Sequence, residues 1–230
     1  MSAAPIILGL DASAGACSVA LTLADGVYGY HEDQSRGHAG RLLTLIDRLL
    51  AEAGIGRSSI DAIAVGCGPG GFTGVRISTG VAQGLALGLD RPGIPLSTLK
   101  ILACMGADAG KSFPVLSVLD ARMGEVYVGA FEVSLLSSLV VTPLTVEALL
   151  TPDQLVAPAG SWVGLGSGFA AYPALNALAP RAKRILPDIH PDIRLAMPLA
   201  VEQFRLAQSV MPAAIQPVYL RNQVAHQAKL

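Results

Sequence analysis

Two short segments carry acids, hydroxyls and glycines at spacings that suit anion chemistry. In Leu10-Asp11-Ala12-Ser13-Ala14-Gly15, an aspartate can position a cation or a water while the Ser13 hydroxyl and nearby amides meet phosphate oxygens. The same residues also suit a plain hairpin, with Asp11 accepting from nearby backbone N–H groups and Gly15 supplying a positive φ. The second segment, Gly66-Cys67-Gly68-Pro69-Gly70-Gly71-Phe72-Thr73-Gly74, runs from a strand into a helix, where free amides face an anion at the helix N-terminus. It has neither the G-x-G-x-x-G spacing of a dinucleotide site nor the Lys of a P-loop. Its glycines equally serve a tight turn in which two backbones approach closely. Asp11, Ser13, Gly68, Gly70, Gly71 and Thr73 therefore make up the candidate nucleotide or anion loop.

Other chemistries find less support. His31, His38, His190 and His226 are scattered, and no H-x-x-x-H or H-E-x-x-H pair puts two imidazoles one helical turn apart, so no metal site is expected. Gly164-Leu165-Gly166-Ser167-Gly168 departs from the G-x-S-x-G nucleophile elbow and reads as a glycine-rich turn. Cys17, Cys67 and Cys104 form no C-x-x-C and read as small buried thiols. No residue is assigned a catalytic role. Asp120, Arg122 and Glu125 concentrate charge in a charge-poor chain, marking either a functional groove or an internal ion pair.

The elements that must position these residues repeat. Leu10-Asp11-Ala12 and Leu119-Asp120-Ala121 each follow an apolar strand and precede a Gly-containing turn and a second apolar strand. Each reads as a β-hairpin opening one half of the chain. Between them, Leu42, Leu43, Ile46, Leu49 and Leu50 fall on helical spacing with Gly54 beyond, predicting an amphipathic helix whose apolar face needs a partner. A strand over 60–66 leads to the glycine loop, and the small residues from Phe72 to Leu89 predict a second helix. On it Gly80, Gly84 and Gly88 share one face, each costing about 1 kcal/mol relative to Ala, so a close helix contact is expected there. A short helix over 98–107 leads to a boundary near Gly110. The second half is expected to hold strands over 115–119, 126–133, 139–141 and 161–165. Its expected helices span 145–150, 172–178 and 192–208. Alternating strands and helices after two hairpin starts indicate an α/β protein of two related lobes, 1–109 and 110–230.

Composition narrows the function classes. Of 230 residues, 52% are hydrophobic and 14% charged, against about a quarter charged in ordinary domains, which excludes disorder and leaves apolar area for an interface. A net charge of -1 with no basic run argues against direct nucleic-acid binding. Glycines and prolines interrupt the uncharged stretch 154–180 short of a membrane span. The opening apolar run follows no basic segment, so no signal peptide is expected and a cytoplasmic location is.

Taken in order, I-L-G-L-D-A-S-A-G-A-C-S-V-A-L, R-G-H-A-G-R-L-L-T-L-I-D-R-L-L from Arg36, G-C-G-P-G-G-F-T-G-V-R-I-S from Gly66, L-D-A-R-M-G-E-V-Y from Leu119 and P-V-Y-L-R from Pro217 resemble the TsaB family over almost the whole chain. The resemblance implies an actin/Hsp70/sugar-kinase-like fold of two related lobes. It implies a non-catalytic part in forming N6-threonylcarbamoyladenosine in tRNA, next to the anticodon. The transfer itself belongs to the paralogous subunit TsaD, whose metal-binding H-x-x-x-H pair this chain lacks, and the ATPase TsaE joins the same assembly. The resemblance maps the subunit interface onto Leu42, Leu43, Ile46 and Leu49 and onto the Gly80, Gly84 and Gly88 face. It further implies self-association through that surface when TsaD is absent, contact with tRNA only through the complex, and ATP or ADP at most at the subunit interface. The rival is a small-molecule kinase or ATPase of the same fold, centred on Asp11, Ser13 and 68–73. Gly71 stands where the family commonly has Ser, and Ser78 where it often has Gly; the stretch 134–180 matches little.

Overall fold

Near-continuous apolar runs make strands only where both faces are covered, and the two central strands of the first sheet have that character. In the computed structural model, which describes residues 4–33 and 38–221, the chain begins with β1 (Ile7–Asp11), β2 (Ala16–Leu23) and β3 (Gly26–Asp33). Then come α1 (His38–Ala53), β4 (Ala62–Gly66), α2 (Phe72–Leu89), β5 (Gly93–Leu96) and α3 (Thr98–Cys104). Every residue of β1 and β4 is buried. Leu8, Leu10, Ile63 and Val65 face α1 and α2, whereas Ile7, Ala62 and Ala64 face the opposite side. Arg36, Gly37, His226 and the side chain of His38 lie outside the described residues.

The second half contains β6 (Ser112–Arg122), β7 (Glu125–Leu135), β8 (Leu139–Pro143), β9 (Ala148–Leu150), β10 (Trp162–Leu165), α4 (Gly168–Ala171), β11 (Ala182–Leu186) and α5 (Ile193–Arg205). The first sheet has the order β3-β2-β1-β4-β5 and the second β8-β7-β6-β10-β11, with β9 added beside β7. In both sheets the first three strands are antiparallel and the last two join in parallel. The echo of the two L-D-A hairpins thus extends to whole sheets of one topology, and the architecture is the two-lobed actin/Hsp70/sugar-kinase-like fold. Between the sheets lies a shared core of Ile94, Leu99, Leu102, Phe131, Leu165, Ile193 and Met197, contributed by both lobes and by α3 and α5.

Two expectations, both of helices, need correction. Residues 145–150 form no helix: Leu144 and Thr145 amides donate to the Ala130 carbonyl in a bend, and β9 pairs with β7. Six residues are too few to offset helix nucleation when a strand edge offers partners. Residues 172–178 form no regular helix, because Pro173 and Pro180 confine 173–181 to 3-10 turns after the four-residue α4. The division at 109/110 separates the sheets but not the rest of the chain. Helix α5 packs against β1 and β2, Val210 bridges to Gly93, and Ile215 fills the first lobe's core. The close contact expected at Gly80, Gly84 and Gly88 is absent within the described chain: a Cβ at any of them would meet nothing within 4 Å.

Candidate functional site

Asp11 ends β1 and is fully buried. It accepts from the Ser13 hydroxyl at 2.7 Å and the Ser13 amide at 3.3 Å. The Ser13 hydroxyl accepts in turn from Thr98 Oγ1 at 2.9 Å, and Thr98 Oγ1 accepts from the Gly68 amide at 3.1 Å. The Thr98 amide donates back to the Gly68 carbonyl at 2.9 Å. One buried hydrogen-bonded chain therefore joins the first hairpin, the glycine loop and the start of α3.

The glycine loop closes onto that hairpin. The Gly71 amide donates to the Ser13 carbonyl at 2.7 Å, and Gly70 lies so close that a Cβ would drive into the same carbonyl. Gly74 is pressed likewise on the Ala12 carbonyl. The Ala12 amide donates to Ser78 Oγ at 2.8 Å, and Ser78 donates to the Gly74 carbonyl at 3.0 Å. Of the two readings of these glycines, the close approach of two backbones accounts for the contacts. Asp11, Ser13, Gly68, Gly70 and Gly71 are brought together, but spent on one another, while Thr73 is exposed on the first turn of α2. A phosphate in this loop would have to displace the Ser13 carbonyl from the Gly71 amide.

Burial raises Asp11 to about 6 from a usual 3.8; the Ser13 hydrogen bonds oppose the rise and the nearby Asp192 charge adds to it. The folded chain therefore holds its proton to higher pH than the unfolded chain, and stability falls as pH rises between 3.8 and about 6. From pH 4.5 to 7.5 this costs about 2 kcal/mol. Asp11→Asn keeps an oxygen to accept from the Ser13 hydroxyl and cannot ionise. Urea denaturation of both proteins across that range should show wild type losing about 2 kcal/mol relative to the variant; a constant difference would mean that Asp11 does not titrate there.

At the second hairpin Asp120 accepts from the Arg122 amide at 2.8 Å and from Tyr172 Oη at 2.9 Å, and pairs with the Arg122 guanidinium at 3.0 Å. The Asp120 amide donates to Ser167 Oγ at 3.2 Å, so Ser167 is part of a turn. The ion-pair reading of Asp120, Arg122 and Glu125 holds, with a partner the sequence does not indicate: Arg221 donates to Glu125. Among the described residues no three His, Cys, Asp or Glu side chains are grouped to hold a metal, and no helix is long and apolar enough to cross a membrane. All three cysteines are buried, with burial pushing Cys67 and Cys104 up to about 12.

The interface residues divide sharply. Leu42, Ile46 and Leu49 are at most 3% exposed and pack with Leu8, Leu10 and Val65 in the first lobe's own core. They cannot offer side chains to another subunit, because the apolar stripe that predicts the helix is the stripe that holds it on the sheet. Leu43, one position around the helix, is 48% exposed. Gly80, Gly84 and Gly88 lie on the exposed side of the neighbouring α2, with Leu87 also exposed. Sequence reasoning gave no role to Ser78, Thr98 or Tyr219; Ser78 had a signal, a hydroxyl where Gly is common, Tyr219 had its place in P-V-Y-L-R, and Thr98 had none.

Residues 29–157 match the family model described as TsaD, tRNA N6-adenosine threonylcarbamoyltransferase. The chain is 36% identical to a protein of Escherichia coli K12 named tRNA threonylcarbamoyladenosine biosynthesis protein TsaB, covering 95% of this chain and 96% of that one. A Haemophilus influenzae protein of the same name is 33% identical, with 95% and 94% covered. A solved structure described as YeaZ from Pseudomonas aeruginosa superposes with a TM-score of 0.81 at 36% identity, over 94% of this chain and all of that one. Another from that organism, described as an uncharacterized protein with similarity to peptidase YEAZ, gives 0.86 at 37% identity, with 94% of this chain and 100% of that one covered.

Proposed function

The chain belongs to the TsaB family, and we propose that it serves in forming N6-threonylcarbamoyladenosine in tRNA, next to the anticodon, as a non-catalytic scaffold or activating subunit. In this reading TsaD carries out the transfer, TsaE joins the assembly, and tRNA is met through the complex. The chain works in the cytoplasm and pairs with itself when TsaD is absent.

The observation that carries the reading is the outer face of α1 and α2. The two helices lie side by side on the first sheet, and their exposed residues include Leu43 on α1 and Gly80, Gly84 and Gly88 on α2, where a Cβ at any of the glycines would meet nothing of the described chain within 4 Å. Gly80 and Gly84 stand in the helix interior, where glycine is costly, and the cost is offset when another helix comes close enough to use the missing side chains. The interface is therefore assigned to Leu43, Gly80, Gly84 and Gly88, with Leu42, Ile46 and Leu49 holding α1 in place behind it. The kinase or ATPase reading is disfavoured by the Gly71 amide, which the Ser13 carbonyl already occupies. ATP or ADP, where the complex holds one, belongs at the subunit interface.

The test is reconstituted modification of unmodified tRNA with TsaD, TsaE and a supply of threonylcarbamoyl-adenylate, read by nucleoside mass spectrometry. Product should form only when this chain is present. Equal product without it would overturn the role, and tight ATP binding by the isolated chain in calorimetry would move the assignment to the enzyme reading.

A further inference from the structure

The segment Pro217-Val218-Tyr219-Leu220-Arg221 passes from one lobe to the other. Upstream, Ile215 is anchored in the first lobe's core at 2% exposure. The Val218 amide then donates to the Cys67 carbonyl at 2.7 Å, and Gly68 leaves no space for a Cβ beside the Val218 carbonyl. Tyr219 lies against Phe72, ring centroids 5.9 Å apart, and its hydroxyl accepts from Arg76 Nε at 2.7 Å. The Arg76 guanidinium sits 3.5 Å over the Phe72 ring. Two residues on, the Arg221 side chain enters the second hairpin, donating to the Ala121 carbonyl at 3.1 Å, the Arg122 carbonyl at 3.3 Å and the Glu125 carboxylate, with Met123 Sδ at 3.1 Å.

We propose that this segment is an intramolecular latch that ties the two lobes together and couples the second hairpin to the first turn of α2. Each end is matched to a separate lobe. The hairpin turn holds Arg122, Met123 and Gly124 at φ of 63°, 57° and 79°, a conformation that leaves the carbonyls of Ala121 and Arg122 for the guanidinium to satisfy. Charge on both Arg221 and Glu125 strengthens that end. The other end packs on Phe72 and Arg76, one helical turn before Gly80 and two before Gly84 on the exposed side of α2. Among the described residues Arg221 has no hydrogen bond to the first lobe, and Tyr219 none to the second. Leu220 alone separates the two residues, so the segment is the shortest covalent path between the two attachments. The inference uses contacts within one chain and stands apart from the partner reading.

Hydrogen exchange of the full chain, followed by mass spectrometry on the hairpin 120–126 and on 72–77, tests it with Arg221→Ala and Tyr219→Ala. Each variant should speed exchange in both segments, by about tenfold at the segment its own side chain touches, the order expected for losing a charge-assisted bond or a packed ring. A variant that loosens only the segment it touches overturns the coupling and reduces the contacts to two separate attachments. Glu125→Gln leaves Arg221 its two carbonyls; should Arg221→Ala fail to fold, this variant must loosen 72–77 as well, and protection there equal to wild type overturns the proposal in the same way.

Discussion

Gly80→Gln with Gly84→Gln should make the monomeric chain more stable and both its self-pairing and the assembly weaker. Each replacement removes a glycine from a helix interior where no neighbour stands in the way of a side chain. The gain is about 0.5–1 kcal/mol per site from lost unfolded-state freedom and better propensity. Thermal unfolding of the double variant should therefore rise by several degrees, about 2–4 °C per kcal/mol for a chain of this size. The same side chains fill the space a second helix would use. Blocking two close approaches should weaken partner binding on the order of 100-fold, roughly 3 kcal/mol, with modification falling in step. Opposite signs in one variant separate this from general damage, which lowers both quantities. A double variant that binds its partner as wild type does would move the interface off α2.

Ile46→Asp and Leu43→Asp sit three positions apart on one helix and should behave as different kinds of mutation. Ile46 is 1% exposed among Leu8, Leu10 and Val65, and a carboxylate there has no counter-charge among the residues it packs against. Burying it costs on the order of 5 kcal/mol or takes the protonated form at similar expense, which is comparable to the whole stability of many domains. The chain should be largely unfolded by circular dichroism. Leu43, half exposed, should change folding stability by less than about 0.5 kcal/mol when made Asp. Its effect should appear in association, measured by sedimentation or by pull-down with TsaD. Normal folding of Ile46→Asp would contradict the burial on which the assignment of α1 rests.

These two residues also show how far the sequence can be read. The spacing of Leu42, Ile46, Leu49 and Leu50 identifies α1 because burial on any apolar surface selects that period. Periodicity carries no label for whose surface it is, and the chain's own sheet takes the stripe. The two L-D-A hairpins announce the duplicated sheets because hairpin turns are local. The return of α5 and Ile215 to the first lobe is not legible, since nothing near residue 200 encodes which sheet it covers. Strand β3 is missed for a related reason: an edge strand such as Gly26–Asp33 needs little apolar alternation.

The candidate site was legible by residue and misleading by arrangement. Asp11, Ser13 and the glycines do meet, but what decides their chemistry is a main-chain bond from Gly71 to Ser13, and backbone pairing across 58 residues leaves no trace in side-chain type. Ser78 and Thr98 join the network as ordinary hydroxyl residues in helices. The segment from Pro217 to Arg221 stands out as a motif, yet only its position between Cys67 and Glu125 reveals what it does.

The placement of α5 has a consequence for synthesis. The first sheet is complete once Leu96 has been made, while the helix that covers Ile7 and Ala64 begins at Ile193. About a hundred residues must be translated in between, which at 5–20 residues per second is roughly 5–20 s. Throughout that interval the nascent chain presents one apolar sheet face with only α3 and the growing second lobe to shield it. Ribosome-bound chains ending before residue 193 should therefore bind hydrophobic-surface chaperones, and chains extended through Ile215 should release them.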